Sequence, residues 1–336
     1  MKRARILLTT AGRKSYLAGI FKAARQCGAV VAVDSDPLSP IRHRVDHFAA
    51  VPTLDDPEGF VEAIHALCRA WDIDCVLPQN DRELLLMASA RRRFEKDGIR
   101  IAGVEPDVVA RVADKFALRE WMLARGFAYP ETWLDYPEAA DARGLVEKDR
   151  FGQGSAGLAH HAVRPAGALP AGKVVQPRLV GTEYNLDVLR DGAGDVVAVS
   201  VKQKLSMQGG STDRAVSVDS PELVRLGARL ADELGVFGSI DVDVMVCDGV
   251  AHPIDVNPRI GGGFPFTAAY CPAYVEALLE VCTGAPVGPR PLAYEAGVLV
   301  CREFTFSSST TSKIAAASTP EPRPTPFPKP EIRGDR

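Results

Sequence analysis

Short apolar runs alternate with amphipathic segments along the first hundred residues. The apolar runs predict strands at 6–10, 30–34, 75–78 and 99–102. Between them, apolar positions with helical spacing predict helices at 15–26, 57–71 and 81–96. Strands that are apolar on both faces and separated by helices are typical of a parallel sheet covered on both sides. We therefore predict an α/β unit with a Rossmann-like parallel sheet at the N-terminus.

The pattern changes after a predicted helix at 107–125. Strand-like alternation recurs at 144–148, 173–176, 183–189, 196–202, 239–246 and 251–256, with helices at 220–234 and 274–282. The last two of these strands are separated by Cys247-Asp248-Gly249, which favours a hairpin turn. We expect this part of the chain to be α+β, with antiparallel sheets. Residues 306–336 are rich in Ser, Thr and Pro and nearly devoid of large apolar side chains, which predicts a disordered tail.

Composition and charge exclude several classes of protein. The 336 residues are 46% hydrophobic and 25% charged, with a net charge of −3, so no attraction to nucleic acid is expected. No apolar stretch is long enough to span a membrane, and the N-terminal apolar run is too short for a signal peptide. The seven cysteines form no C-x-x-C pair or zinc spacing, which indicates reduced thiols and a cytoplasmic location.

An acidic strand pair is the most informative chemical pattern. Asp241 and Asp243 alternate along one predicted strand, and Asp255 and Asn257 alternate along the next. Since side chains two residues apart share a face, these oxygen ligands meet on one sheet surface and suit Mg²⁺. Arg259 follows, where a guanidinium can bind phosphate. A solvent-facing acidic strand pair is the alternative interpretation.

Two further segments have the character of nucleotide-binding elements. Lys148 ends a predicted strand before a glycine-rich loop, Gly152-Gln153-Gly154-Ser155-Ala156-Gly157, whose backbone amides can approach phosphate oxygens. Another strand ends at Gln176-Pro177-Arg178-Leu179, where backbone groups can bond a planar base, and Glu183 can accept from ribose hydroxyls. Taken alone, each segment is equally compatible with a plain hairpin or a strand–turn–strand.

In this order, the three patterns resemble the ATP-grasp superfamily, and in particular its carbamoyl-phosphate-synthetase-like amino-acid and peptide ligases. The most specific match is Ile254-Asp255-Val256-Asn257-Pro258-Arg259, which is similar to an E-x-N-P-R motif. The resemblance implies a pre-ATP-grasp Rossmann-like domain at 1–112 and an ATP-grasp domain at 113–305. Within the second domain it implies a lid lobe at about 130–190 and a Mg-ATP lobe at about 191–305.

The resemblance also implies a role for individual residues. It places Lys115 and Lys148 on the phosphates, and residues 152–157, which include Gly152, Gly154, Ser155 and Gly157, in a lid. It places the adenine at Gln176, Pro177, Arg178 and Leu179, and the ribose at Glu183. It places two Mg²⁺ ions, with Mn²⁺ as a substitute, on Asp243, Asp255 and Asn257. Arg259, Lys148 and Arg214 are the expected catalytic residues, and Asn80, Asp81, Glu83, Lys204, Gly261 and Gly262 the expected substrate-binding residues.

The sequence departs from the family pattern at three positions. Asp255 stands where Glu is usual, Asp149 stands where Pro usually follows the strand lysine, and Ser211 lies in a segment where relatives often carry Gly-Glu. That segment, 209–214, faces the substrate in the family. A shorter carboxylate at 255 weakens the bridging of two ions, and a changed 209–214 segment implies an unusual substrate.

The expected function is ATP-dependent ligation: a small carboxylate is activated as an acyl phosphate and coupled to an amine. The alternatives are carboxylation or carbamoyl-phosphate-type chemistry, and a degenerate nucleotide-binding protein. A dinucleotide-dependent oxidoreductase is a further alternative, resting only on Gly12 and Asp34 after the first two strands, without a full G-x-G-x-x-G motif. The expected partners are small-molecule substrates, and the resemblance leaves a homodimer open.

Overall fold

The structure is a computed structural model that describes residues 2–12, 14–138, 143–152, 157–290 and 292–303. Within these ranges the chain forms one parallel sheet of five strands and two antiparallel sheets of six and three strands. The predicted fold class, α/β with α+β character in the C-terminal part, is confirmed. The predicted tail at 306–336 lies outside the described residues.

The elements follow one another closely along the chain. The strands are β1 (Ala4–Thr9), β2 (Cys27–Asp34), β3 (His47–Ala50), β4 (Cys75–Pro78), β5 (Arg100–Ile101), β6 (Leu145–Asp149), β7 (Ala159–His161), β8 (Lys173–Pro177), β9 (Thr182–Arg190), β10 (Val196–Gln208), β11 (Ser211–Ser217), β12 (Gly238–Cys247), β13 (Val250–Asn257) and β14 (Leu299–Cys301). The helices are α1 (Tyr16–Ala23), α2 (Pro57–Ala70), α3 (Asp81–Glu95), α4 (Pro106–Ala113), α5 (Lys115–Ala124), α6 (Pro221–Leu234), α7 (Phe264–Tyr270) and α8 (Pro272–Cys282), with a 3₁₀ turn at Pro40–His43.

The parallel sheet has the strand order β3-β2-β1-β4-β5. One face packs on α2 and α3 through side chains such as Phe60 and Phe94, and the other packs on α1 and α8 through Phe21 and Leu278. Burying a side chain of this size contributes about 1.5–3 kcal/mol, so both faces stabilise the sheet. Because α8 comes from the end of the chain, the N-terminal sheet shares its core with the C-terminal part.

The helix predicted at 107–125 is two helices. The carboxylate of Asp114 accepts from the backbone N–H groups of Phe116 and Ala117, so it caps α5. Its extended backbone, with φ −95° and ψ 105°, ends α4 at the preceding residue. The chain therefore stops being helical at Asp114, because the capping hydrogen bonds of its carboxylate are favoured over a continuous helix.

The six-stranded sheet has the order β13-β12-β9-β10-β11-β14. One face is apolar and packs against α5 and α6, with Leu186, Val242 and Leu230 fully buried. Asp248 and Gly249 both have positive φ in the β12–β13 hairpin, as the Asp-Gly turn predicts. Strand β9 pairs with β10 on one side and with β12 on the other, so it lies in the middle of this sheet.

Part of the segment 209–214 borders the cleft described below, since Gly210, Ser211 and Thr212 line it, but the segment is not a single loop. Gly209 and Gly210, both with positive φ, form a hairpin turn, and Ser211–Ser217 pairs with β10 as β11. The third sheet, in the order β7-β6-β8, carries Lys148 near the end of its central strand. No helix in the described ranges is both long and apolar enough to cross a membrane.

Candidate active site

The second face of the six-stranded sheet is polar where β12, β13 and β9 pair. Asp241 lies directly opposite Asn257, and Asp243 lies directly opposite Asp255. On the other side of β12, Asn185 of β9 lies opposite Asp243. The period-2 alternation predicted that the four β12 and β13 side chains share a face, and the register brings them into two adjacent cross-strand pairs.

Two amide groups hold the carboxylates of this polar face together. The Nδ2 atom of Asn185 donates to Oδ1 of Asp241 at 2.7 Å and to Oδ1 of Asp243 at 2.8 Å. The Nδ2 atom of Asn257 donates to Oδ2 of Asp241 at 3.1 Å and to Oδ2 of Asp255 at 3.2 Å. Burial, together with repulsion from the neighbouring Asp241 and Asp255, raises the pKa of Asp243 to about 7. The cluster therefore carries negative charge that a cation would stabilise.

The donor set fits a magnesium ion by its chemistry. Asp243, Asp255 and Asn257 offer hard oxygens, and the buried Oδ1 of Asn185 has no hydrogen-bond partner. The described residues contain no group of three or more acidic, His or Cys side chains already arranged around a metal position. Instead, Nζ of Lys204 lies 2.7 Å from both Asp243 and Glu183, so an ion would compete with this ammonium for Asp243.

A cleft of about 540 Å³ opens over this polar face. Four lysines line it: Lys14 after β1, Lys115 of α5, Lys148 of β6 and Lys204 of β10. Burial and the nearby Lys115 together lower the pKa of Lys148 to about 8, although Asp255 offsets part of the effect. Lys115 donates to the carbonyl of Gly152 at 2.7 Å, which ties the start of the glycine-rich loop to the first turn of α5.

Arg259 reaches across the cleft to the N-terminal sheet. Its Nε and Nη2 atoms pair with both oxygens of Asp81 in the first turn of α3, with Nη2–Oδ2 at 2.9 Å. Nη2 also donates to Oδ1 of Asn257 at 3.2 Å. The guanidinium is only 10% exposed. Asp81 therefore orients Arg259 and joins the N-terminal domain to the end of β13.

The other residues predicted on α3 divide into two groups. Asn80 lines the cleft, whereas Glu83 is fully buried and does not face it. Oε1 of Glu83 accepts from the hydroxyls of Thr9 and Thr10 and from the backbone N–H groups of Gln79 and Asn80. Glu83 thus fixes the strand ends that border the cleft. Its carboxylate, which the sequence predicted to contact substrate, is buried and does not line the cleft.

The glycines after Arg259 allow a close approach of two chain segments. A Cβ added to Gly261 would overlap the carboxyl group of Asp241, and one added to Gly263 would overlap the amide oxygen of Asn185. Gly262 lines the cleft and has no atom within 4 Å of an added Cβ. The sequence singled out Gly261 and Gly262 for substrate; the structure shows Gly261 packed against the acidic cluster and Gly262 at the surface of the cleft.

Several predicted site residues do not line this cleft. Gln176 is buried and donates to Thr132 at 2.8 Å, and the backbone of Arg178 bonds Gly144; Pro177 and Leu179 are likewise absent from the lining. Arg214 points away, with a 61% exposed side chain against Asp213. Gly157 has positive φ and accepts from Lys173, while Gly154 and Ser155 lie outside the described residues.

Some lining residues were missed by the sequence analysis as site residues. Lys14, Thr10 and Gln79 lie at the carboxyl ends of β1 and β4, where open α/β sheets bind ligands. Asn185 alternates with buried apolar residues on β9, the same signal that identified the acidic strands. Asp241 was placed on the acidic face but left out of the metal ligands, although it accepts from both amides.

Two sequence profiles match the chain. Residues 6–102 match a profile described as "PylC-like, N-terminal domain", and residues 112–263 match a profile described as "ATP-grasp domain". No curated protein sequence matches the chain.

Many solved structures share the fold. The biotin carboxylase domain of Hydrogenobacter thermophilus 2-oxoglutarate carboxylase, solved with MgADP and bicarbonate, has a TM-score of 0.68 at 15% identity over 90% of this chain and 75% of that one. An L-amino acid ligase from Bacillus licheniformis has a TM-score of 0.61 at 15% identity, over 85% and 76%. For Rhizobium etli pyruvate carboxylase the TM-score is 0.63 at 19% identity, and the match covers 84% of this chain but only 29% of that chain.

Proposed function

We propose that this chain, which belongs to the ATP-grasp superfamily, activates a small carboxylate with ATP and couples it to an amine, releasing ADP and phosphate. The observation that carries the proposal is the cleft itself. It is lined both by an acidic, oxygen-rich strand pair (Asp241, Asp243, Asp255 and Asn257) and by two lysines, the buried Lys115 and the partly buried Lys148. That is the charge pattern needed for a magnesium–triphosphate complex, in which the ion meets the carboxylates and the phosphates meet the lysines.

We assign the nucleotide to the side of the cleft formed by Lys115, Lys148 and the glycine-rich loop. The loop, 152–157, covers the phosphates, and Gln176, Pro177, Arg178 and Leu179 bind the adenine; both assignments rest on the family pattern. Glu183 binds the ribose, which requires its Oε1 to exchange the 2.7 Å contact with Lys204 for a hydroxyl. The bound ion, when present on Asp243, Asp255 and Asn257, neutralises charge on the phosphates; two ions and exchange for Mn²⁺ are part of this proposal.

The residues of this chain contribute mainly charge and position. Lys148 is partly buried, so its ammonium acts in a medium that strengthens its attraction to phosphate. Asp81 holds Arg259 in one orientation beside Asn257, so the guanidinium is preorganised for the reacting carboxylate and for the oxyanion that forms on amine attack. Lys204 is placed to hold a substrate carboxylate only after it leaves Glu183 and Asp243. Arg214, exposed and outside the cleft, is given no catalytic role.

The chemistry takes two displacements. A carboxylate oxygen of the first substrate attacks the γ-phosphorus of ATP, and ADP leaves. The amine of the second substrate then attacks the acyl carbon, and phosphate leaves with the former carboxylate oxygen. Closure of the glycine-rich loop over the cleft would exclude water, which otherwise hydrolyses the acyl phosphate.

The test is an ADP-release screen over pairs of amino acids, with mass spectrometry of the products and hydroxylamine as a trap. We expect ADP release that depends on a carboxylate substrate, a hydroxamate when hydroxylamine replaces the amine, and an amide when both substrates are present. Asp255→Ala and Asn257→Ala should abolish ADP release without unfolding the chain. Asp107→Ala, at a mostly exposed carboxylate on α4, is the matched control. Near-normal turnover in either cleft variant would disprove the metal assignment.

Bicarbonate activation is the second candidate, because the structure of the similar 2-oxoglutarate carboxylase domain contains bicarbonate together with MgADP. The same screen separates the two. ADP release that requires bicarbonate and yields no amide would favour carboxylation. Nucleotide binding without turnover of any kind would favour a degenerate nucleotide-binding protein.

Two properties of the whole protein belong to the proposal as well. A cytoplasmic location is supported by the cysteines, all seven of which are free thiols. A homodimer is a prediction to be checked by light scattering of the purified chain, because dimers occur among relatives and nothing in the cleft requires a second copy.

A further inference from the structure

The N-terminal wall of the cleft is not used by the nucleotide in the proposed function. It is formed by the residues that follow β1 and β4, namely Thr10, Ala11, Lys14, Gln79 and Asn80. Both strands are parallel neighbours, so their carboxyl ends lie side by side at one edge of the sheet. Open α/β sheets bind ligands at this edge.

This wall is held rigidly. A single carboxylate oxygen, Oε1 of Glu83, accepts from Thr10 at 2.8 Å, from the backbone of Gln79 at 2.7 Å and from the backbone of Asn80 at 3.0 Å. Thr10 itself has a φ of +45°, a left-handed conformation that a β-branched residue rarely adopts. Strain of this kind persists where the surroundings impose it, and it is concentrated at ligand sites.

Lys14 is the cation of this wall, and it lacks an anionic partner. Its one hydrogen bond among the described residues is to the carbonyl of Gln79, at 2.7 Å, and it forms no ion pair there. Burial, reinforced by the nearby Arg259, lowers the pKa of Lys14 to about 8. An ammonium has three donors, so two remain for a ligand.

A second unsatisfied group lies next to it. Gln79 lines the cleft but is only 3% exposed, and its Oε1 atom has no hydrogen-bond partner. The wall therefore offers a cation and an amide acceptor side by side. An amino acid carries the two complementary groups, a carboxylate and an ammonium.

Lys14 lies apart from the lysines assigned to phosphate. The charges that act on Lys14 are those of Arg259, Asp81, Glu83 and Asp241. Those that act on Lys148 are Lys115 and Asp255. Arg259 therefore acts on Lys14 but is not among the charges that act on Lys148, so the two lysines have different electrostatic surroundings.

We propose that the carboxyl ends of β1 and β4 form a substrate subsite in which Lys14 binds a carboxylate that does not react, as in an amino acid coupled through its amine. This inference rests on the proposed function for the reaction, but the subsite is defined by its own residues. It assigns one substrate to the class of small molecules with a second, recognised carboxylate. Lys14 is a specificity-determining residue in this proposal.

Calorimetry with defined probes tests the subsite without requiring turnover. L-aspartate, succinate, acetate, inorganic phosphate and uncharged acetamide are titrated into the wild type, Lys14→Met, Lys14→Arg and Lys22→Met, each with and without MgADP. Lys22 is the matched control because its salt bridge with Asp46 lies outside the cleft. Circular dichroism confirms that each variant is folded.

We expect at least one of the carboxylates to bind the wild type, with affinity reduced about tenfold or more in Lys14→Met, the loss typical of a charged hydrogen bond. Lys14→Arg and Lys22→Met should retain that affinity, and MgADP should bind all four proteins alike. Equal carboxylate affinity in wild type and Lys14→Met would overturn the subsite, as would the absence of carboxylate binding or binding of phosphate alone. If the wild type does not bind MgADP, the proposed function is overturned instead.

Discussion

Replacing Asp255 with Asn should separate the stability of the protein from its activity. Asp255 lies directly opposite Asp243 on the neighbouring strand, and Asp241 lies one pair further along. Burial, together with repulsion from Asp241 and Asp255, raises the pKa of Asp243 to about 7, and the ammonium of Lys204, 2.7 Å from Asp243, offsets only part of this effect. Asn keeps the shape of the side chain and removes one of the charges.

The expected magnitudes follow from the register. Like charges directly opposite each other in a sheet destabilise it by about 0.2–1 kcal/mol, so the metal-free variant should gain up to about 1 kcal/mol. For a chain of this size that corresponds to a melting temperature about 1–2 °C higher. ADP release should fall about 100-fold or more, because the ion loses an anionic ligand. Lys148 also loses the carboxylate that helps to keep it protonated.

The assay pairs thermal melting in EDTA with ADP release under saturating Mg²⁺. Asp107→Asn, on the exposed face of α4, is the control for removing a charge. A rise in the metal-free melting temperature, together with the loss of ADP release, would support the arrangement of the acidic cluster as a cation site. A melting temperature of Asp255→Asn below that of the wild type in EDTA, or ATP turnover at the wild-type rate, would refute the assignment of a cation site.

Three further changes test other parts of the cleft. Gly261→Ala should lower both the melting temperature and ADP release, because the new Cβ overlaps an aspartate of the acidic cluster. Gly262→Ala, whose new Cβ has no atom within 4 Å, should leave the fold intact, and equal melting temperatures of the two variants would contradict this packing. Asp81→Asn leaves the buried Arg259 without its ionic partner and should lower the free energy of unfolding by about 3 kcal/mol, measured as a lower midpoint of urea denaturation. An unchanged midpoint would show that the ion pair does not stabilise the fold. The affinity for carboxylate ligands should be constant below pH 8 and fall about tenfold per pH unit above it, because protonated Lys14, with its lowered pKa of about 8, is the form that binds. Lys14→Arg should remove this fall, and a wild-type affinity that does not change with pH would contradict the prediction.

Much of the fold was readable from the chain alone. Apolar strands and helices of the right length predicted the parallel sheet, and the alternation of Asp and Asn with Val and Ile predicted the polar face of β12 and β13. Asp-Gly predicted the turn between them. These features depend on the periodicity of side chains along one element or on local turn chemistry, so neighbouring residues determine them.

Two strands and one helix boundary could not be predicted from the sequence in the same way. His47–Ala50 has one large apolar residue, and Ser211–Ser217 is mostly polar, yet both become strands because a neighbouring strand supplies their hydrogen-bond partners. The break at Asp114 was also missed. An aspartate is compatible with a helix, and the bidentate contact of its carboxylate with Arg150, 36 residues away, helps to hold it in the capping position.

The sequence by itself determined which residue types face the cleft, but the tertiary structure decided their partners. Glu83 and Asp81 are two residues apart on α3, yet Glu83 is buried against the strand ends, whereas Asp81 pairs with Arg259 at the end of β13. Arg214 and Lys204 lie on adjacent strands, and only the lysine reaches the acidic cluster. The physical reason is that periodicity fixes the direction of a side chain within its own element. The charge or cavity it meets depends on the packing of elements that are distant in the chain.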